Sequence, residues 1–141
     1  MSIKLGIVLH MRKLVVSISV VFTFLLWVSF AEAISLNEAY KSKRSDVQVK
    51  GNGTVIRILK DDNQGSRHQK FILKLSSGQT ILIAHNIDLA PRINSISKGD
   101  SIQFYGEYEW NNKGGVVHWT HKDPNGNHIG GWLKHNGRVY Q

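Results

Sequence analysis

The stretch "RHQKFILKLSSGQTILIAH", residues 67–85, restricts the fold more than any other part of the chain. Its apolar side chains recur at every second residue, the period of a strand with one buried and one solvated face. Phe71, Leu73 and Leu75 share one side before "SSG", and Ile81 and Ile83 share one side after it. A three-residue turn with Gly78 in the left-handed region pairs Leu75 with Gln79. Counting back from that pair sets Phe71 opposite Ile83 and Gln69 opposite His85. A slip of one residue would turn every apolar side chain to water, so pattern and turn agree on one register.

The same period recurs elsewhere. "VQVKGNGTVIRIL" (47–59) predicts a long first strand, with Gly51 and Gly53 marking a bend or bulge. "KGDSIQFYGEYEW" (98–110) predicts a fourth, in which Ile102, Phe104, Gly106, Tyr108 and Trp110 alternate with Ser101, Gln103, Tyr105, Glu107 and Glu109. "VVHWTH" (116–121) predicts a fifth. "DPNG" reads as a type I turn, and Asn136-Gly137 marks a terminal hairpin. Residues 34–46 form a polar leader segment with a weak helical pattern. The sum is an all-β fold: a small five-stranded OB-like Greek-key barrel over 47–141 with an added C-terminal β-hairpin packed on one end. An SH3-like barrel or an open β-sandwich is the alternative. The centre is expected to hold Phe71, Leu73, Ile81, Ile83, Ile102 and Phe104.

Lys4, Arg12 and Lys13 precede an uncharged apolar run from Leu14 to Phe30, and "AEA" follows it. This predicts a secretory signal peptide over 1–33, cleaved after Ala33, with Met11 a more compact start than Met1. The expected location is exported, periplasmic or secreted, with no integral membrane span after cleavage. The alternative is a protein anchored by the uncleaved N-terminal segment. Removing Lys4, Arg12, Lys13 and Glu32 leaves 15 basic and 9 acidic side chains, a formal charge of +6. That balance favours a polyanion, although the lysines form no run and a solvated basic surface accounts for them equally. The chain has no cysteine, so core, ligand or metal must stabilise it without a disulfide.

"HWTHKDPNGNH" (118–128) concentrates the candidate chemistry. On a regular strand, His118 and Thr120 face one way and Trp119 and His121 the other. The helical zinc pattern HExxH is absent, and His118-Trp119-Thr120 has no second HxT element to make a two-histidine phosphoesterase. In an OB barrel the third and fifth strands run parallel, and one pole collects Asp61, Asp62, His68, His85, Asp88, Asp100, His121 and Asp123. His128 can fold back onto it. This predicts a polar site of His85, His121 and Asp123, flanked by Asp88, His68 and His128 and able to hold a divalent transition metal or act on a phosphoester. His118 is expected to point away and hydrogen-bond locally. Plainer roles stand beside these. His85 against Gln69 can be a hydrogen-bonded plug, Asp100 and Asp123 turn formers, and His135 a surface residue. Trp110, Trp119 and Trp132 can pack at edges or, exposed, stack on bases or sugars.

"HQKFILKLSSGQTILIAHNIDLAPRI", "GEYEWNNKGGVVHWTHKDP" and "GWLKHNGRVYQ" resemble a family of small exported bacterial proteins, a domain of unknown function marked by an HWTH motif. His118, Trp119, Thr120 and His121 match that motif, and the resemblance runs from about Val49 to Gln141. It implies a single exported domain and no particular activity. Two functions follow. One is a binding module for an anionic or oligomeric ligand, an oligonucleotide or an oligosaccharide. The other is a small metal-dependent hydrolase or nuclease using the histidine–aspartate pole.

Overall fold

Closure of the barrel depends on one long strand that serves two partners. In the computed structural model, which describes residues 34–141, this is β1 (Val47–Ile58). Its first part pairs antiparallel with β4 (Ser101–Glu109), from Val47 opposite Tyr108 to Thr54 opposite Ser101. Its last part pairs with β2 (His68–Lys74), from Thr54 opposite Lys74 to Ile58 opposite Phe71. β2 continues through an antiparallel hairpin into β3 (Thr80–Asn86), and β3 lies parallel to β5 (Val116–His118). β5 pairs with β4, so the order β1–β2–β3–β5–β4 returns to β1. This is the expected OB-like five-stranded barrel, including its one parallel pairing. The expected signal peptide lies outside the described residues. Within them, no helix is long and apolar enough to cross a membrane.

The hairpin register is the one the pattern dictates. Phe71 faces Ile83 and Gln69 faces His85. Leu75 N–H donates to Gln79 O at 2.9 Å, and Gly78 has φ +85°. Phe71, Leu73, Ile81, Ile83, Ile102 and Phe104 are all fully or almost fully buried, as expected of the barrel centre. Each contributes about 1.5–3 kcal/mol by leaving water. Gly51 and Gly53 face this core, where an added Cβ would press on the Phe104 ring and on Leu73. They provide close approach rather than the bend itself. The register of β1 breaks further on, between Val55 and Arg57.

Three expectations are corrected. The leader is part of the fold: Ser35 caps α1 (Leu36–Lys41), and Leu36 and Ala39 join the core cluster. Trp110 locks it by donating from Nε1 to Tyr40 O at 3.1 Å. The fifth strand ends at His118 instead of His121, because Trp119 takes φ +51° and leaves the pleat. The terminal hairpin, β6 (Trp132–His135) and β7 (Arg138–Tyr140), does not cap an end of the barrel. β6 pairs with β4 from Ile102 opposite His135 to Tyr105 opposite Trp132, extending the sheet along the edge that β5 vacates. Asn136 and Gly137, both at positive φ, make its turn. Docking against β4 buries His135, the expected surface residue, to 1 % exposure, with Nε2 2.8 Å from Asp100 Oδ2.

Candidate functional site: the outer face of β4

Strand alternation sends Gln103, Tyr105, Glu107 and Glu109 to the outside of the barrel. Each meets an outward neighbour across the ladder. Tyr105 lies between Lys50 of β1 and Trp132 of β6, and Gln103 between Asn52 and Lys134. Glu107 lies between Gln48 and His118, and Glu109 beside Val116. One face therefore carries an aromatic and lysine row next to a histidine–carboxylate group. In the row, the Tyr105 and Trp132 rings stand 6.2 Å apart, and Lys50 Nζ lies 5.6 Å from the Trp132 ring. In the other group, His118 Nε2 is 3.4 Å from one oxygen of Glu107 and 3.4 Å from one of Glu109.

The loop after β5 builds the rest. Both oxygens of Asp123 accept backbone N–H bonds, from Asn125 at 3.0 Å, Asn127 at 2.7 Å and His128 at 2.9 Å. The first of these bonds leads in holding its carboxyl below the usual range. The loop so formed carries His128 back onto the barrel. Its ring stacks on Trp119, centroids 3.9 Å apart and planes 10° apart, and its Nε2 stands 2.7 Å from Glu107 Oε2. Its Nδ1 faces Ile129 O at 2.8 Å, so acceptors meet both ring nitrogens. Burial pulls this imidazole's pKa down, but the Glu107 and Ile129 hydrogen bonds and the nearby carboxylates outweigh it and raise it overall.

Two depressions flank the pair His68 and His118. One, about 310 Å³, is lined by Asp62, Lys70, Ala84, Glu109 and Val116 as well as that pair. The other, about 210 Å³, lies against Asn86, Leu89, Trp119 and His121. His118 and His121 both line this second depression, yet their rings take different partners, His118 facing Glu107 and Glu109 and His121 facing Lys122 O.

The expected pole is not assembled as a metal cage. His85 is wholly buried, with Nδ1 2.8 Å from Thr120 Oγ1 and Nε2 3.1 Å from Pro91 O. Burial, aided by the charges of His121 and His68, lowers its pKa to about 4. His121, 4 % exposed, lies close enough to influence it, but turns Nδ1 to Lys122 O at 2.7 Å. Asp123 is occupied by its own loop. Asp88 takes two bonds from Arg67, and Asp61 takes two from Arg92. Asp62 faces Lys70 at 3.8 Å, and Asp100 faces His135. His68 reaches Ser66 O through Nδ1 and otherwise lines the groove. The physical reason is a surplus of arginine, lysine and backbone donors at this end, which take up the carboxylates. Among the described residues, the histidine–carboxylate group whose ligand atoms lie within 4.8 Å of one another is Glu107, Glu109 and His118.

Fold and site together define a small OB-like β-barrel domain with an aromatic, cationic and histidine–carboxylate outer face. The chain belongs to the family described as "Protein of unknown function (DUF3465)", whose model matches residues 18–141. No curated protein matches it.

Proposed function

We propose that the protein is an exported binding module for an anionic oligomer, a single-stranded oligonucleotide or an acidic oligosaccharide, held on the outer face of β4. The observation that carries this reading is the cross-strand row Lys50–Tyr105–Trp132, with Lys134 beside it. Flat aromatic rings offer stacking to bases or sugar faces, and the ammonium groups neutralise the ligand's charge. The row is built on sheet positions rather than on loops, so its spacing is set before any ligand arrives. The excess of basic side chains, formally +6 after removal of residues 1–33, assists encounter with a polyanion.

Anisotropy titration with a labelled oligothymidylate and with a labelled uronic-acid oligomer tests it. Binding is expected to weaken as salt rises, by a logarithmic slope of about −0.7 for each nucleotide phosphate neutralised. Trp132→Ala and Lys50→Ala should each weaken it, with the slope reduced only in Lys50→Ala. Failure to bind either oligomer at low salt rejects the reading.

A second reading, a small metal-dependent hydrolase or nuclease, draws support from the His118, Glu107 and Glu109 group beside the row. Cleavage of the labelled oligothymidylate in the presence of a divalent ion separates this reading from binding alone.

A further inference from the structure

We propose that Glu107, Glu109 and His118 form a binding site for one divalent transition-metal ion. The site goes beyond the oligomer-binding reading and stands without it. Three features of the structure lead to it.

The first is distance. Metal–ligand bonds of about 2.1 Å, arranged tetrahedrally, place neighbouring donor atoms about 3.4 Å apart. His118 Nε2 stands 3.4 Å from Glu107 Oε1 and 3.4 Å from Glu109 Oε1. All three donor atoms lie within 4.8 Å of one another. Small rotations of the glutamate side chains therefore close the set, with the backbone ladder between β4 and β5 unchanged.

The second is charge. Glu107 and Glu109 are two residues apart on one face of one strand, with side chains 18 % and 35 % exposed. Asp61, Asp62 and Asp88 each have a lysine or arginine partner. Among the described residues, neither glutamate has one, in a chain with 18 basic residues. Two half-buried carboxylates on the same face repel, and a divalent ion offsets that repulsion more fully than a single imidazolium does.

The third is support from outside the donor set. His128 bonds to Oε2 of Glu107 at 2.7 Å and leaves Oε1 toward His118. Such an outer bond orients a ligating carboxylate.

The donor set is one imidazole and two carboxylates. It suits zinc, manganese or ferrous iron better than copper(I), which prefers sulfur. Three protein donors leave at least one position open on the solvent side, where an exogenous oxygen ligand can bind. The neighbouring groove supplies the space, since Glu109 and His118 line it.

The test uses the protein purified without a histidine tag, stripped with chelator and titrated calorimetrically with zinc or manganese chloride alone. One equivalent per chain is expected. Affinity should fall at least tenfold in Glu109→Gln and in His118→Ala, and stay within twofold in His121→Asn. Variant-free confirmation comes from manganese broadening of NMR signals. Residues 107, 109 and 118 should broaden first, ahead of 85, 121 and 123. Absence of binding overturns the proposal. So does an affinity unchanged in Glu109→Gln, which would leave the three side chains as an ordinary ion pair. Broadening centred on His85 and His121 would equally overturn it.

Discussion

His85 Nδ1 stands 2.8 Å from Thr120 Oγ1, tying the end of β3 to the loop that follows β5. The other ring nitrogen faces Pro91 O, which can only accept, so Nε2 carries the hydrogen. In the neutral ring, Nδ1 must then accept from the Thr120 hydroxyl. Thr120→Val keeps the shape and removes that donor, leaving a buried acceptor unpaired. The expected cost is about 1–3 kcal/mol, read by urea denaturation at neutral pH.

The same histidine makes stability depend on pH. Its ordinary pKa of 6.5 falls to about 4 in the fold, so between these values the unfolded chain binds the extra proton. Its contribution is therefore complete above pH 6.5 and is lost as pH falls through that window. The loss reaches about 3 kcal/mol near pH 4. Denaturation midpoints at pH 7 and pH 4.5 measure it, and His85→Gln should flatten the difference.

Phe71→Ala should cost about 3–5 kcal/mol, since the ring is fully buried at the barrel centre and the cavity cannot collapse against five hydrogen-bonded strands. A thermal melt gives the value. An unchanged melting temperature would mean that Phe71 lies elsewhere.

Gly106→Ala should separate β5 from β4. A Cβ at residue 106 would meet the His118 carbonyl oxygen and the Thr120 methyl group. Destabilisation of about 1–3 kcal/mol is expected. Backbone amide shifts should move at His118 and Thr120 first. A shift pattern confined to β1 would contradict the placement.

Asp123→Ala releases three backbone N–H groups and should open the loop that carries His128. The His128 ring would then leave the Trp119 face, losing its ring-current shift in proton NMR. Retention of that shift would show that stacking holds the loop without the carboxylate.

The barrel was legible where local chemistry and apolar period pointed to the same pairing. Gly78 and the alternation around it set the β2–β3 register, and Asn136-Gly137 marked the last hairpin. The docking of that hairpin was not legible. It requires the edge of β4 before residue 106 to be vacant, and that follows from Trp119 entering the left-handed region, which a tryptophan side chain does not advertise. His135 was misplaced for the same reason.

The candidate site divides likewise. The turn roles of Asp100 and Asp123 were legible in "KGD" and "DPNG", whereas the partners of Asp61 and Asp88 were not. Asp61 and Asp88 are held by arginines distant in sequence, and Asp123 by its own loop. The group of Glu107, Glu109 and His118 was within reach of the sequence. Counting outward from the loop of residues 110–115 pairs Glu109 with Val116 and Glu107 with His118. The Lys50–Tyr105–Trp132 row was not, because it needs two long-range registers at once.

The central claim, that the outer face of β4 receives an anionic oligomer, is tested most directly by amide and indole NMR shifts during titration with oligothymidylate at low salt. Saturable shifts should concentrate at Lys50, Tyr105 and the Trp132 indole N–H. Saturable binding with these three unmoved, or no shift at millimolar oligomer, would contradict it.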